Sequence, residues 1–202
     1  MMMLRITRRA PVVTVLAVAA AAATVGACGE KPPLHGMTVP GSQMAPALLL
    51  HDSRGQAFDL AAERGRVVLL YFGYTHCPDV CPATLADLAR ARRILGVKGD
   101  RMRVAFVSVD PARDTPAATE SYAWQFDSTF VGLVPTAAQL DTIKAAWGFA
   151  VERDSMPGMK PGEYGVTHPA GVFFVDREGR VRFVFAPGTK GDEYAADLRR
   201  MM

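Results

Sequence analysis

Two cysteines, Cys77 and Cys81, stand four positions apart in the run Tyr71-Phe72-Gly73-Tyr74-Thr75-His76-Cys77-Pro78-Asp79-Val80-Cys81-Pro82. A thiolate is both the form of sulfur that ligates soft metals and the form that attacks disulfides, so this pair marks where chemistry is expected. Pro82 carries no amide hydrogen and suits only the first turn of a helix. Cys81 is therefore expected near a helix N-cap, with Cys77 to Val80 as a tight loop before it. Helix-end amides and the dipole favour thiolate there. Three residues between the cysteines set the pair apart from Cys-x-x-Cys redox motifs, and a four-cysteine zinc site needs two more thiolates. On the residues alone a structural disulfide, a redox couple and a metal site all stay open.

The surrounding pattern shows what must hold the pair in place. Val67 to Phe72 is a continuous apolar run, the signature of a strand buried on both faces, and the cysteines follow its C-terminal end. Leu85, Leu88, Ala89, Arg92 and Leu95 repeat at helical spacing, predicting a helix over Pro82 to Leu95. Val104 to Val109 reads as a second buried strand. Pro116 to Phe126 reads as a helix with Thr115 as N-cap, and Ala137 to Trp147 as another, leading to a short strand near Phe149 to Val151. Ahead of these, Ala47 to Leu50 and Gln56 to Leu60 form a small hairpin. Behind them, Gly171 to Val175 and Arg180 to Phe185 flank the turn signal Asp176-Arg177-Glu178-Gly179, and Gly191 to Met201 closes as a helix. The sum is an α/β domain with a thioredoxin-like fold, an N-terminal hairpin, and a C-terminal β-hairpin plus helix.

The chain has 202 residues, half of them apolar and 21% charged, with a net charge of +3, which excludes an intrinsically disordered protein. Arg5, Arg8 and Arg9 carry the whole basic excess ahead of the domain. The folded part is left near neutral, without the basic stripe that a nucleic-acid binder keeps. Residues 1–27 read as a signal peptide: a basic start, then an uncharged stretch from Ala10 to Ala27. Val25-Gly26-Ala27-Cys28 resembles a bacterial lipobox, which implies lipidation at Cys28 and a domain tethered outside the cytoplasm, on the periplasm-facing side of a membrane. Residues 28–46, with Pro32, Pro33, Pro40 and Pro46, read as a flexible tether, and 47–202 as the domain.

The run from Gly73 to Pro82 resembles the metal-binding signature of the Sco/SenC family of copper chaperones. Ser108-Val109-Asp110-Pro111-Ala112-Arg113-Asp114-Thr115-Pro116 resembles that family's second characteristic stretch, and Tyr164-Gly165-Val166-Thr167-His168 its late histidine element. The resemblance covers about residues 47–200. It implies Cys77, Cys81 and His168 as ligands of Cu(I), and of Cu(II) with extra ligation. It implies delivery of copper to the copper-accepting subunit of a respiratory cytochrome oxidase. One departure stands out: Thr167 replaces the acidic residue that many members place before the histidine, and Pro169 follows it. A missing carboxylate bears on how the imidazole is oriented. His168-Pro169 also falls near the position where thioredoxin-like folds place a cis-proline, making a cis bond a candidate there.

His76 is expected to point away from the sulfurs, and Met156 and Met159 to pack as loop methionines. His35 and Met37 lie in the tether and His51 at a hairpin turn. Asp110 and Asp114, around Arg113, are expected to brace a loop, and Trp124 and Trp147 to be core. Two functions fit the residues: a copper metallochaperone with no catalytic residue, or a thiol–disulfide reductase using Cys77 and Cys81 alone.

Overall fold

In the computed structural model the described residues are 33–155 and 163–202. The 1–27 signal segment, Cys28, Met156 and Met159 lie outside them. Among the described residues no helix is long and apolar enough to cross a membrane.

The central strand, β4 (Val67–Gly73), is buried at all seven positions. Its left and right neighbours explain why. It pairs in parallel with β5 (Met102–Ser108), Tyr71 facing Phe106 and Gly73 facing Ser108. On its other side it pairs antiparallel with β9 (Val172–Val175), Tyr71 facing Val172. Helices cover both faces, so an unbroken apolar run is what this strand needs. The side of Leu69 and Tyr71 faces α1 (Val80–Leu95) and α4 (Gly191–Met201), with the rings of Phe174, Phe183, Phe185 and Tyr194 in contact one after another across it. The side of Phe72 is covered by α3 (Ala137–Trp147), whose Trp147 meets Phe72 and Phe173 edge to face.

The full sheet adds β6 (Val131–Leu133) parallel to β5, β10 (Val181–Phe185) antiparallel to β9, and β1 (Met37–Thr38) at the far edge beside β10. A separate hairpin joins β2 (Leu49–His51) to β3 (Ala57–Asp59). A second two-stranded sheet pairs β7 (Glu152–Asp154) with β8 (Gly165–Thr167). The registers fix the site. Parallel β4 and β5 end side by side, and antiparallel β9 begins at that same end, so the loop before β9 meets the loop after β4.

Several expectations need correction. The helix after the cysteines starts at Val80 rather than Pro82, so Cys81 lies inside its first turn with Asp79 at the N-cap. The strand expected near 149–151 is β7, three residues later, because its partner β8 sets its place. The stretch read as tether is partly structured: Met37 and Thr38 pair with Val184 and Phe183, and His35 is held by Asp197. Trp124, expected in the core, is 42% exposed at the end of α2 (Pro116–Trp124), where the Arg54 guanidinium lies over its ring. The described peptide bonds are trans, including His168–Pro169. As expected, Thr115 caps α2 by accepting from the Ala118 amide, and Ala137 to Trp147 is helical.

Candidate metal centre

The first turn of α1 supplies unpaired backbone amides, and the cysteine loop uses them. The Cys81 amide donates to Cys77 Sγ at 3.4 Å. Pro82 sits in that turn at no cost, since its missing donor had no partner there. Cys81 turns inward and is fully buried, with the Tyr71 hydroxyl donating to its sulfur at 3.4 Å. Cys77 stays half-buried in the loop, and both thiols are free. Gly73, one strand position beyond Phe72, has no room for a side chain: a Cβ would stand 2.9 Å from Cys81 Sγ and 2.6 Å from the Phe106 ring.

His168 completes the corner from the opposite direction. Its Nε2 lies 3.9 Å from Cys81 Sγ. Its Nδ1 lies 3.1 Å from the Pro169 carbonyl oxygen, which can only accept, so Nδ1 carries the proton and Nε2 presents a lone pair to the sulfurs. Pro169 thus supplies the orienting acceptor that the missing carboxylate would have given. Thr167 points elsewhere, its hydroxyl donating to Asp154 of β7. The Tyr74 ring meets the imidazole edge to face at 5.7 Å and Tyr71 at 6.5 Å, forming an aromatic wall.

The two thiols are driven apart in acidity. Cys77 is pulled well below the ordinary cysteine range, first by the Cys81 thiol donating to it, then, against the cost of burial, by the amides of Cys81 and Asp79. Cys81 is pushed up, first by the charge-sharing bond with Cys77 and then by burial, with the Tyr71 hydroxyl pulling the other way. Burial also raises Tyr71 and Tyr74. At neutral pH the pair therefore holds one thiolate, on the more exposed sulfur.

Two sulfurs and an imidazole form a soft donor set. Bonds of about 2.3 Å to sulfur and about 2.0 Å to nitrogen, opened to a trigonal angle, separate the two donor atoms by roughly 3.7 Å. The observed 3.9 Å between Cys81 Sγ and His168 Nε2 fits one ion held between them. Among the described residues no group of three or more His, Cys, Asp or Glu side chains is gathered closely enough to hold a metal ion as the side chains stand. The donor set is open, with Cys77 and His168 both partly exposed.

The sequence-derived candidates fall into place around this corner. His76 is exposed and turns to the Thr75 hydroxyl and to Asp114, at 3.1 and 3.4 Å, outside the donor set. Asp114 braces the cysteine loop, accepting from the Thr75 amide and hydroxyl and from Ser108. His51 is exposed on the hairpin. Sequence reasoning passed over Tyr71 and Tyr74. The signal at Tyr71 was a hydroxyl inside a strand buried throughout, which must find a partner; Tyr74 follows directly on that strand's end and is buried too.

A parallel core strand ending in a cysteine loop on a helix N-terminus, faced by a residue from the turn before an antiparallel strand, defines a thioredoxin-like domain. The approach of His168 to the two cysteines narrows the class further. The chain belongs to the SCO1/SenC family, whose model matches residues 38–202. Mitochondrial SCO1 of Saccharomyces cerevisiae is 35% identical over 147 residues, 71% of this chain and 48% of the yeast protein. The chain thus spans about half the length of that relative. The solved structure of Bradyrhizobium japonicum ScoI with copper bound is 32% identical and superposes with a TM-score of 0.70, covering 79% of this chain and all of that one. Apo Sco1 of Thermus thermophilus is 35% identical with a TM-score of 0.73, covering 86% of this chain and all of its own.

Proposed function

We propose that this protein is a membrane-tethered, extracytoplasmic copper carrier that binds Cu(I) through Cys77, Cys81 and His168. Its role would be to pass the ion to the copper-accepting subunit of a respiratory cytochrome oxidase. The observation that carries the reading is the 3.9 Å approach of His168 Nε2 to Cys81 Sγ, with the imidazole's lone pair turned to the sulfur. The copper-bound structure of the Bradyrhizobium relative supports it. An open set of three donors suits a cargo ion, because an incoming ligand from the recipient can enter before the last one leaves. Cu(II) would need a further donor. The tether is lipid on Cys28.

A second reading draws on a different observation. Cys77 is acidified and half-exposed while Cys81 is buried and held protonated, the asymmetry of an attacking and a resolving thiol. A reductase of the recipient's cysteines would use this couple and leave His168 idle. Metal competition on wild type and His168→Ala, read beside thiol–disulfide exchange, separates the two.

A further inference from the structure

The strand that leads into His168 is poorly anchored by pairing alone. β8 has three residues and bonds only to β7, apart from the six-stranded sheet. Its attachments to the body are made by side chains. The Tyr74 hydroxyl accepts from the Val166 amide at 3.4 Å. A denser set lies one residue before the strand, at Tyr164. The Arg113 guanidinium stacks on the Tyr164 ring at 3.6 Å, and its Nη1 donates to the Tyr164 carbonyl at 3.0 Å. The Tyr164 hydroxyl donates to Asp110 Oδ1 at 3.0 Å, while Arg113 Nε donates to Asp110 Oδ2 at 2.5 Å. Asp110 is 2% exposed, so this carboxylate is committed to the arrangement. A second guanidinium, Arg153 of β7, also stands over the Tyr164 ring at 4.8 Å.

The same turn holds the other half of the site. The amides of Arg113 and Asp114 both donate to the Asp110 carbonyl, making 110–114 a compact unit. From it Asp114 reaches the cysteine loop at Thr75, and Arg113 reaches Tyr164, just ahead of the strand that leads to His168. One five-residue turn therefore grips both ligand-bearing segments, one by each end.

We propose that Asp110, Arg113 and Tyr164 form a clamp that positions His168 against the sulfurs, making them positioning residues for metal capture. This rests on the copper reading, since a reductase does not need the imidazole. The planar fork of arginine is essential to it: one face stacks on the ring while the edge bonds Asp110 and the Tyr164 carbonyl together. Lysine keeps the charge and loses both. Tyr164→Phe keeps the stacked ring and loses only the bond to Asp110.

The test is a double-mutant cycle on the full chain, reading Cu(I) affinity by competition with a chromophoric Cu(I) chelator. The variants are Arg113→Lys, Tyr164→Phe and His168→Ala, and each clamp change combined with His168→Ala. Arg113→Lys should weaken Cu(I) binding by about tenfold, the lower end of what loss of an orienting partner does to a metal site. Tyr164→Phe should weaken it less. In the His168→Ala background neither change should weaken it further, and the rate at which Cys77 and Cys81 form their disulfide should stay that of wild type. Equal losses with and without His168 would show that the clamp supports the fold rather than the imidazole, and would overturn the proposal. So would unchanged affinity in both clamp variants while His168→Ala weakens wild type. If His168→Ala binds Cu(I) as wild type does, the copper reading itself fails, and the clamp with it. Should Arg113→Lys not fold, Tyr164→Phe carries the cycle alone.

Discussion

Cys81 Sγ and His168 Nε2 stand 3.9 Å apart although 87 positions separate them in the chain. Two strand registers create this approach. β4 delivers its loop at one end of the sheet, and β9, running the opposite way, starts where β4 stops. The turn before β9 must then hang over the first turn of α1. The site is thus a consequence of one antiparallel strand added to a parallel pair.

Close packing beneath the sulfurs gives a first prediction. Gly73→Ala would place a methyl 2.9 Å from Cys81 Sγ and 2.6 Å from Phe106, both buried and unable to move far. We expect a stability loss of about 1–3 kcal/mol, as overpacked cores show, together with weaker Cu(I) binding. Urea unfolding and chelator competition on the same sample check this. Wild-type values in both would show that the strand end can give way.

Thiol acidity gives a second. Cys77 is lowered to about 3, chiefly by the Cys81 hydrogen bond. A folded value below the unfolded one, about 8.5, means that ionisation of Cys77 stabilises the fold. That contribution is complete above the unfolded value and is lost as pH falls toward the folded one. Alkylation of Cys77 by iodoacetamide should therefore keep its rate from pH 8 down to pH 5, whereas an ordinary thiol slows about tenfold per unit. Cys81 should react only after unfolding. A Cys77 rate that falls tenfold per unit below pH 8 would contradict the geometry of the helix end.

Asp114 offers a third. It is buried and accepts from Ser108, the Thr75 amide and the Thr75 hydroxyl. Asp114→Asn swaps an acceptor oxygen for a donor in front of those donors, with an expected cost of about 2 kcal/mol. Cu(I) binding should weaken as the cysteine loop loosens. Thermal unfolding at neutral pH measures the first part, and no change in midpoint would remove Asp114 from its bracing role.

The anchor is tested separately. Cys28→Ser should yield a protein without attached lipid that keeps its leader, seen by mass spectrometry of the membrane fraction. The same mature mass in wild type and variant, with no lipid on either, would sink the lipoprotein assignment.

What the residues revealed, and what they hid, divides by the range of the interactions. The β4 strand, the helix behind the cysteines and the α3 helix follow from local pattern and capping, and were legible. β6 was not, because three residues ending shortly before Pro135 carry no period. Its strand character comes from pairing with Ala105 and Val107. β1 was hidden in a proline- and glycine-rich stretch and exists only because the edge of β10 is open to it. Trp124 looked like core by residue type, yet the arginine over its ring lies 70 positions earlier. The pair Cys77 and Cys81 stood out by residue type and spacing, but their reading as ligands came from likeness to a family. His168 came from likeness to a family, and its orientation by Pro169 rather than a carboxylate could be seen only in three dimensions.

His168 either belongs to a metal site or stands beside a redox couple, and copper binding separates the two. The most direct measurement is Cu(I) affinity of wild type and His168→Ala by chelator competition, with the Cys77–Cys81 exchange rate taken on the same preparations. One Cu(I) is expected per wild-type chain, with affinity lowered by about tenfold or more in the variant and exchange unchanged. Equal Cu(I) affinity in the two proteins would contradict a metal site at His168.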